Sequence, residues 1–260
     1  MNKTTVLNPQ FEALRGFVET IDTDFPQEGT VVYRRRNTVK RFDAEPPRPA
    51  LFVKSYGIPN VFNRVIYRFF RLPKAERAYR HTLKILELGF ESPAPVAYVL
   101  FTSPLTLGRS YYISKASKYG RDTLDMFYKH GKAGDRLAEA FALFTARLHK
   151  AGVMHLDYSS SNILYGREKD GWHFSLIDTN RMRFLDRPLT MKEGCRNLVR
   201  ITAHAPQLQK FIDCYAEACG YPKDECAKLF FSMRKRYYFM KSLHFHPFSK
   251  DRHSRSREHR

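Results

Sequence analysis

Few cysteines, few acids and no long apolar run set the first limits on this chain. The four cysteines, Cys195, Cys214, Cys219 and Cys226, include no C-x-x-C pair, so no zinc clasp is expected. A disulfide-stapled secreted scaffold would be shorter and richer in cysteine. The opening "MNKTTVLNPQF" lacks the apolar core of a signal peptide, and reduced thiols in the cytosol are the expectation. No apolar stretch approaches the ~20 residues that span a bilayer, which leaves peripheral membrane contact at most. A glycine-rich G-x-G-x-x-G loop is also missing among the 13 glycines. Acids are outnumbered by Lys and Arg, 26 to 45, for a net charge of +19. That field calls for an anionic partner such as nucleotide phosphates, nucleic acid or the anionic face of a membrane, the bland alternative being a solvated basic surface.

What is present suits a folded protein. Hydrophobic residues make up 43% of 260 residues and aromatics 14%, enough for one large domain or two lobes sharing a cleft. Val31 to Tyr33 and Leu51 to Val53 read as strands, and Lys54, ending the run "LFVK", is placed where a lysine can reach phosphates. Between residues 61 and 71, Val61, Phe62, Val65, Ile66, Phe69 and Phe70 fall on one half of a helical wheel and Arg64, Arg68 and Arg71 on the other. Packing on the protein's own core is the commoner fate of such a helix; a seat in the headgroup zone of an anionic membrane is the alternative. A second helix is expected from Lys74 to Leu88, stopped by Gly89. Two more strands are expected in "ESPAPVAYVLF" and "RSYYISKA", then a crossover over Ser117 to Thr123. Beyond it helices dominate, beginning with Leu137, Ala140, Phe141, Phe144 and Leu148 at helical spacing and closing at Gly152. The expected division is a sheet lobe over 1–116, a helical lobe over 117–248 and a mobile basic tail over 249–260.

The chemistry concentrates in "HLDYSSSNIL" and "WHFSLID". Asp157 and Asn162 are separated by four residues, as in the catalytic loop H-x-D-x-x-x-x-N of phosphoryl-transfer enzymes. Asp157 would orient the attacking hydroxyl and take its proton, while Asn162 offers a neutral amide oxygen to Mg2+. Asp178 ends a short strand and would be the principal metal ligand. His155 is expected to hold the loop by hydrogen bonds rather than to shuttle protons.

Together with "FVKSYGIPNVFNRVIYRFFR" and "LIDTNRMRF" followed by "PLTMKEGCRNL", these motifs resemble the bacterial lipopolysaccharide core kinases, the heptose and Kdo kinase family. The resemblance spans most of residues 30 to 210. It implies an α+β, two-lobed protein-kinase-like fold, with a small antiparallel-sheet N-lobe and a mainly helical C-lobe. It further implies transfer of the γ-phosphoryl group of ATP, with Mg2+, to a sugar hydroxyl of the lipopolysaccharide inner core at the cytoplasmic membrane. By that resemblance Lys54 matches the lysine that pairs with the α- and β-phosphates, Asp157 the catalytic aspartate, and Asn162 and Asp178 the metal ligands. Glu76 is assigned as the partner of Lys54 by elimination. Two departures stand out: "YRRRNTVKRF" occupies the hairpin where a glycine-rich loop is expected, leaving phosphate contacts to arginines or backbone amides, and Thr179-Asn180 follows Asp178 in place of Phe-Gly.

The partner expected is a lipid-linked anionic sugar acceptor, with peripheral contact at the inner face of the cytoplasmic membrane and no nucleic acid. A kinase-like enzyme acting on a protein or an aminoglycoside keeps the fold, but the positive charge disfavours a cationic acceptor. A nucleic-acid-binding module, with arginines on phosphate and aromatics on bases, leaves Asp157, Asn162 and Asp178 unexplained. A pseudokinase or scaffold requires that Lys54 or the metal ligands be dispensable.

Overall fold

The computed structural model describes residues 1–46, 48–58, 66–67, 71–128 and 131–243. Apart from Ile66, Tyr67 and Arg71, the amphipathic segment 61–71 lies outside the described residues, as does the tail 249–260.

The N-terminal part is built on six antiparallel strands: β1 (Asn2–Leu7), β2 (Thr30–Arg34), β3 (Asn37–Phe42), β4 (Leu51–Tyr56), β5 (Pro95–Thr102) and β6 (Leu107–Lys115). Their spatial order is β1-β5-β6-β4-β3-β2. Because side chains alternate along a strand, β4 serves both faces of the sheet. Leu51 and Val53 bury against Val18, Ile21 and Phe25 of helix α1 (Arg15–Gln27). On the other face Tyr56 packs with Ala75 and Tyr79 of helix α2 (Lys74–Glu87). Lys54 therefore belongs to the α2 face, and the strand continues two residues past it instead of ending there. Helix α2 starts and stops close to expectation, with Gly89 at φ +77° just beyond its end. The sequence signalled neither β1 nor α1.

The C-terminal part is mainly helical. It comprises β7 (Arg121–Asp122), α3 (Asp125–Tyr128), α4 (Gly131–Lys150), β8 (Val153–His155), β9 (Ile163–Glu168), β10 (Gly171–Leu176), β11 (Met182–Phe184), α5 (Met191–Leu198), α6 (Ala205–Cys219) and α7 (Lys223–Leu243). The apolar stripe predicted on α4 is the centre of the core: Leu137, Phe141 and Leu148 are fully buried. Phe141 lies 5.1 Å from the ring of Phe211 on α6, 5.5 Å from Phe174 on β10 and 6.0 Å from Tyr158. One phenylalanine thus ties α4 to the loop and strand that carry the candidate chemistry, and truncating such a side chain costs ~3–5 kcal/mol. Gly152, at φ +73°, makes the turn from α4 into β8; a Cβ there would sit 2.2 Å from the carbonyl of Leu185. Only glycine fits that combination of backbone angle and close approach.

Candidate functional site

The segment from His155 to Asn162 leaves β8, passes through a short 3-10 turn at Ser160–Asn162 and enters β9. His155 is fully buried. Its Nε2 lies 3.0 Å from the carbonyl of Ile177, and its Nδ1 lies 3.1 Å from the backbone nitrogen of Asp157. A carbonyl can only accept, so Nε2 carries the proton and Nδ1 receives the Asp157 N–H. Burial pulls the pKa of the ring down, which keeps it neutral and preserves this pattern. A single imidazole therefore spans from the backbone of Asp157 to the residue before Asp178, the structural role expected for it.

Further bonds fix the loop. Asn162 donates its side-chain N–H to the Asp157 carbonyl at 2.9 Å. Its Oδ1 has no partner among the described residues, and a neutral amide oxygen is a ligand that a hard cation accepts. Asn197, in the last turn of α5, donates to the His155 carbonyl at 2.8 Å. Ser160 bonds both backbone groups of Thr202, at 2.9 and 3.0 Å. Helix α5 itself begins with a capping box, Thr190 and Glu193 each satisfying the other's backbone N–H, a device worth about 1 kcal/mol. Arg234 of α7 donates to the carbonyls of Val199 and Ile201 at 2.7 and 2.6 Å. Between those two residues Arg200 sends its guanidinium onto the Asp157 carboxylate. Arg200 and Arg234 carry no sequence motif and were not singled out.

Asp178 is the sole non-glycine residue with positive φ among those described, at +56°. Aspartate tolerates the left-handed region better than most residues, yet such a conformation persists only where its surroundings impose it, and it concentrates at functional sites. Here the surroundings are explicit. Ile177 donates its N–H to the Asn162 carbonyl at 3.0 Å. Thr179 places its hydroxyl 2.7 Å from that of Thr82 and 3.1 Å from the Ala78 carbonyl, both on α2. His81, also on α2, donates from Nδ1 to the Thr179 carbonyl at 2.8 Å. Thr179 thus anchors the Asp178 turn to α2 by polar contacts, where an aromatic side chain would have done so by packing. Asn180 donates to the Asp178 carboxylate.

The carboxylate of Asp178 also meets Lys54 across 124 residues of sequence, Nζ to Oδ1 at 2.7 Å. The pair is mostly shielded, with side chains 17% and 30% exposed. Lys54, Asp157, Asn162 and Asp178 are therefore brought together. Glu76 is not paired with Lys54: its carboxylate is held by Arg80, one helical turn along α2, at 2.7 Å. Two residues on the same helix face at i and i+4 satisfy each other locally, and Lys54 takes the nearer strand-end carboxylate instead. That pairing corrects the assignment by elimination.

Lys74, at the start of α2, was not anticipated. It is half-buried among cations, and burial followed by the charges of Arg36, Arg77 and Lys54 lowers its pKa to about 8, with Asp178 opposing. An excess of positive charge beside one strained carboxylate suits polyphosphate plus a divalent cation: Asp178 and the free oxygen of Asn162 are hard oxygen donors, as Mg2+ requires. A second group of potential ligands, Glu168, Asp170 and His173, is already occupied by protein cations. Lys118 lies 2.7 Å from Glu168, and His173 bridges Asp170 and Glu91.

Comparison with known proteins finds a matching family model and similar solved structures. The model of a family described as lipopolysaccharide kinase (Kdo/WaaP) matches residues 60–210. A solved structure described as WaaP in complex with acyl carrier protein is similar over 91% of this chain and 99% of that one, at 19% identity and a TM-score of 0.62. A Rio2 kinase-ADP/Mg2+-phosphoaspartate complex from Chaetomium thermophilum is similar over 82% of this chain and 71% of that one, at 14% identity and a TM-score of 0.45. No curated protein matches. The fold is the α+β, kinase-like one, with an N-terminal antiparallel sheet and a mostly helical C-terminal part.

Proposed function

Since the chain belongs to the lipopolysaccharide kinase (Kdo/WaaP) family, we propose that it transfers the γ-phosphoryl group of ATP to a sugar hydroxyl of the lipopolysaccharide inner core. The observation that carries this reading is the Lys54–Asp178 pair, joined through His155 to the backbone of Asp157. Asp157 receives the acceptor hydroxyl and accepts its proton as the oxygen bonds to the γ-phosphorus and the bond from phosphorus to ADP breaks. Lys54 exchanges its contact with Asp178 for the α- and β-phosphates. Asp178 and Asn162 would hold Mg2+, which supplies positive charge against the phosphate oxygens.

The acceptor is anionic and lipid-linked in this reading, and the net charge of +19 favours both properties. Peripheral contact with the inner membrane is part of the proposal. The last turns of α7 leave Phe239 and Leu243 exposed alongside Lys235, Arg236 and Lys241, a mixture of apolar and basic side chains suited to an anionic bilayer surface. No helix among the described residues is long and apolar enough to cross a membrane.

The purified protein is expected to label an inner-core acceptor from γ-labelled ATP only when a divalent cation is present. Mass spectrometry of lipopolysaccharide from cells lacking the gene should reveal one phosphate fewer on an inner-core sugar. An unchanged glycolipid sinks the acceptor assignment while leaving the family and fold intact.

Lys74 gives this reading a pH signature. Free protein holds Lys74 protonated below about pH 8 and neutral above it. Binding of a phosphate anion favours the charged form, so above that pH nucleotide binding must also take up a proton. The Kd for ATP should therefore rise with pH beyond about 8, approaching tenfold per pH unit, as titration calorimetry across pH 7–9.5 would record. Lys74→Met should bind more weakly at pH 7 and lose the slope; a Kd that climbs identically in both proteins would assign the effect to another group.

A further inference from the structure

On the face of the N-terminal sheet opposite Lys54 lies a pocket of about 380 Å³, lined in part by arginines of the hairpin that the sequence offered for the nucleotide phosphates. Ser55, in its wall, follows Lys54 in β4 and so points to the opposite side of the sheet. The pocket is roofed by the end of α1 and lined by Arg34, Arg36, Lys40 and Arg109, with the hydroxyls of Thr38 and Ser55 between them. Cross-strand register puts these groups side by side: Thr38 is opposite both Arg34 and Ser55, and Ser55 is opposite Tyr111, two residues from Arg109. None of the described residues lining it is acidic.

The four cations are not equivalent. Lys40 is 5% exposed and already committed, its ammonium donating to the carbonyls of Phe25 and Glu28 at 2.6 and 2.7 Å, where it neutralises the negative end of α1. The three arginines are exposed and have no carboxylate partner among the described residues. Among the described residues Arg109 donates to the Tyr111 hydroxyl alone, at 3.4 Å. Three uncompensated guanidinium groups facing one concavity raise its potential and favour an anionic occupant. A carboxylate has two acceptor oxygens. A phosphate monoester or diphosphate presents more acceptors and more charge, and guanidinium forks match it.

We propose that this pocket is a second anion site, which takes a phosphate monoester or diphosphate group independently of the nucleotide cleft. Its volume exceeds what bare phosphate fills, leaving room for the organic portion that carries the group. The same chemistry is offered by a soluble phosphorylated compound and by a lipid headgroup.

The test uses the full chain with Arg34→Gln and Arg109→Gln, alone and combined, each made also in a Lys54→Ala background. Arg36 is left intact because its charge also acts on Lys74. A control pair, Lys132→Gln with Arg136→Gln, removes the same charge from exposed positions on α4. Pyrophosphate binding is followed by titration calorimetry, and vesicle binding by co-sedimentation with phosphatidylcholine containing phosphatidic acid, both at 0.15 M salt. The double variant is expected to bind at least tenfold more weakly than its parent in both backgrounds, with the control within threefold. Loss confined to pyrophosphate supports the site and assigns a soluble ligand; loss confined to vesicles supports it and assigns a headgroup. Equal binding by parent and double variant, absence of binding by either, or an equal loss in the control overturns it. Because the comparison is repeated without Lys54, failure of the nucleotide assignment leaves this outcome readable.

Discussion

Asp178→Ala is expected to lower kcat for phosphoryl transfer by three orders of magnitude or more, an increase of at least about 4 kcal/mol in the barrier. Two losses combine. The variant removes the hard oxygen donor at the mouth of the cleft and leaves Lys54, only 17% exposed, without its partner, at a stability cost of roughly 1–3 kcal/mol. Alanine is also a poorer occupant than aspartate of a position at φ +56°. Asp178→Asn separates these effects. Asparagine adopts the left-handed region readily and keeps an oxygen for the Asn180 N–H, so its melting temperature should stay close to that of the parent. Its charge is gone, so turnover should remain down by about 100-fold or more, with the dependence on divalent cation moved to higher concentration. Steady-state kinetics over a magnesium series at saturating ATP reads both quantities. Turnover within tenfold of the parent at the parent's metal concentration would remove Asp178 from the proposed metal site.

The loop from His155 to Asn162 was readable from the sequence because its information is local. His155, Asp157 and Asn162 fall within eight residues, and two of the bonds that organise them close within that span, while Asn197, Arg200 and Thr202 add contacts from about 40 residues further on. Lys54 and Asp178 are far apart in sequence, but each follows a short apolar run that reads as a strand; the pairing between them is a tertiary contact. The region before residue 30 was a different case. Helix α1 carries Thr20, Thr23 and Pro26, poor helix formers, and it exists because Val18, Ile21 and Phe25 find Leu51 and Val53 across the sheet. That is a tertiary cause, and the local sequence does not carry it. Glu76 misled for a related reason: elimination supplied a carboxylate for Lys54, whereas packing gave Lys54 to Asp178 and local helix geometry gave Glu76 to Arg80. The lowered pKa of Lys74 likewise arises first from burial and then from the charges of Arg36, Arg77 and Lys54, on three separate segments. Thr179 was visible as a departure from the usual aromatic residue, but its anchoring bonds to α2 span about 100 residues of sequence and no local pattern carries them.

Asp157→Asn should reduce kcat by about 10²–10⁴-fold with little change in the KM for ATP, because the amide retains shape and loses the proton acceptor. The more informative measurement concerns Arg200, 43 residues away in sequence, whose guanidinium contacts the same carboxylate. Its backbone is fixed on both sides, since Arg234 holds the carbonyls of Val199 and Ile201 and Ser160 holds Thr202. A side chain so supported can orient the Asp157 carboxylate through one oxygen and leave the other to meet the acceptor hydroxyl. Arg200 then acts through Asp157 as a positioning residue, and Arg200→Met should lower kcat by about tenfold in the parent but have almost no further effect in Asp157→Asn. Arg200→Lys, which keeps the charge and loses the fork, should recover part of the deficit. An equal tenfold loss in both backgrounds, accompanied by a raised KM for the glycolipid, would show that Arg200 works independently of Asp157 and serves the acceptor directly.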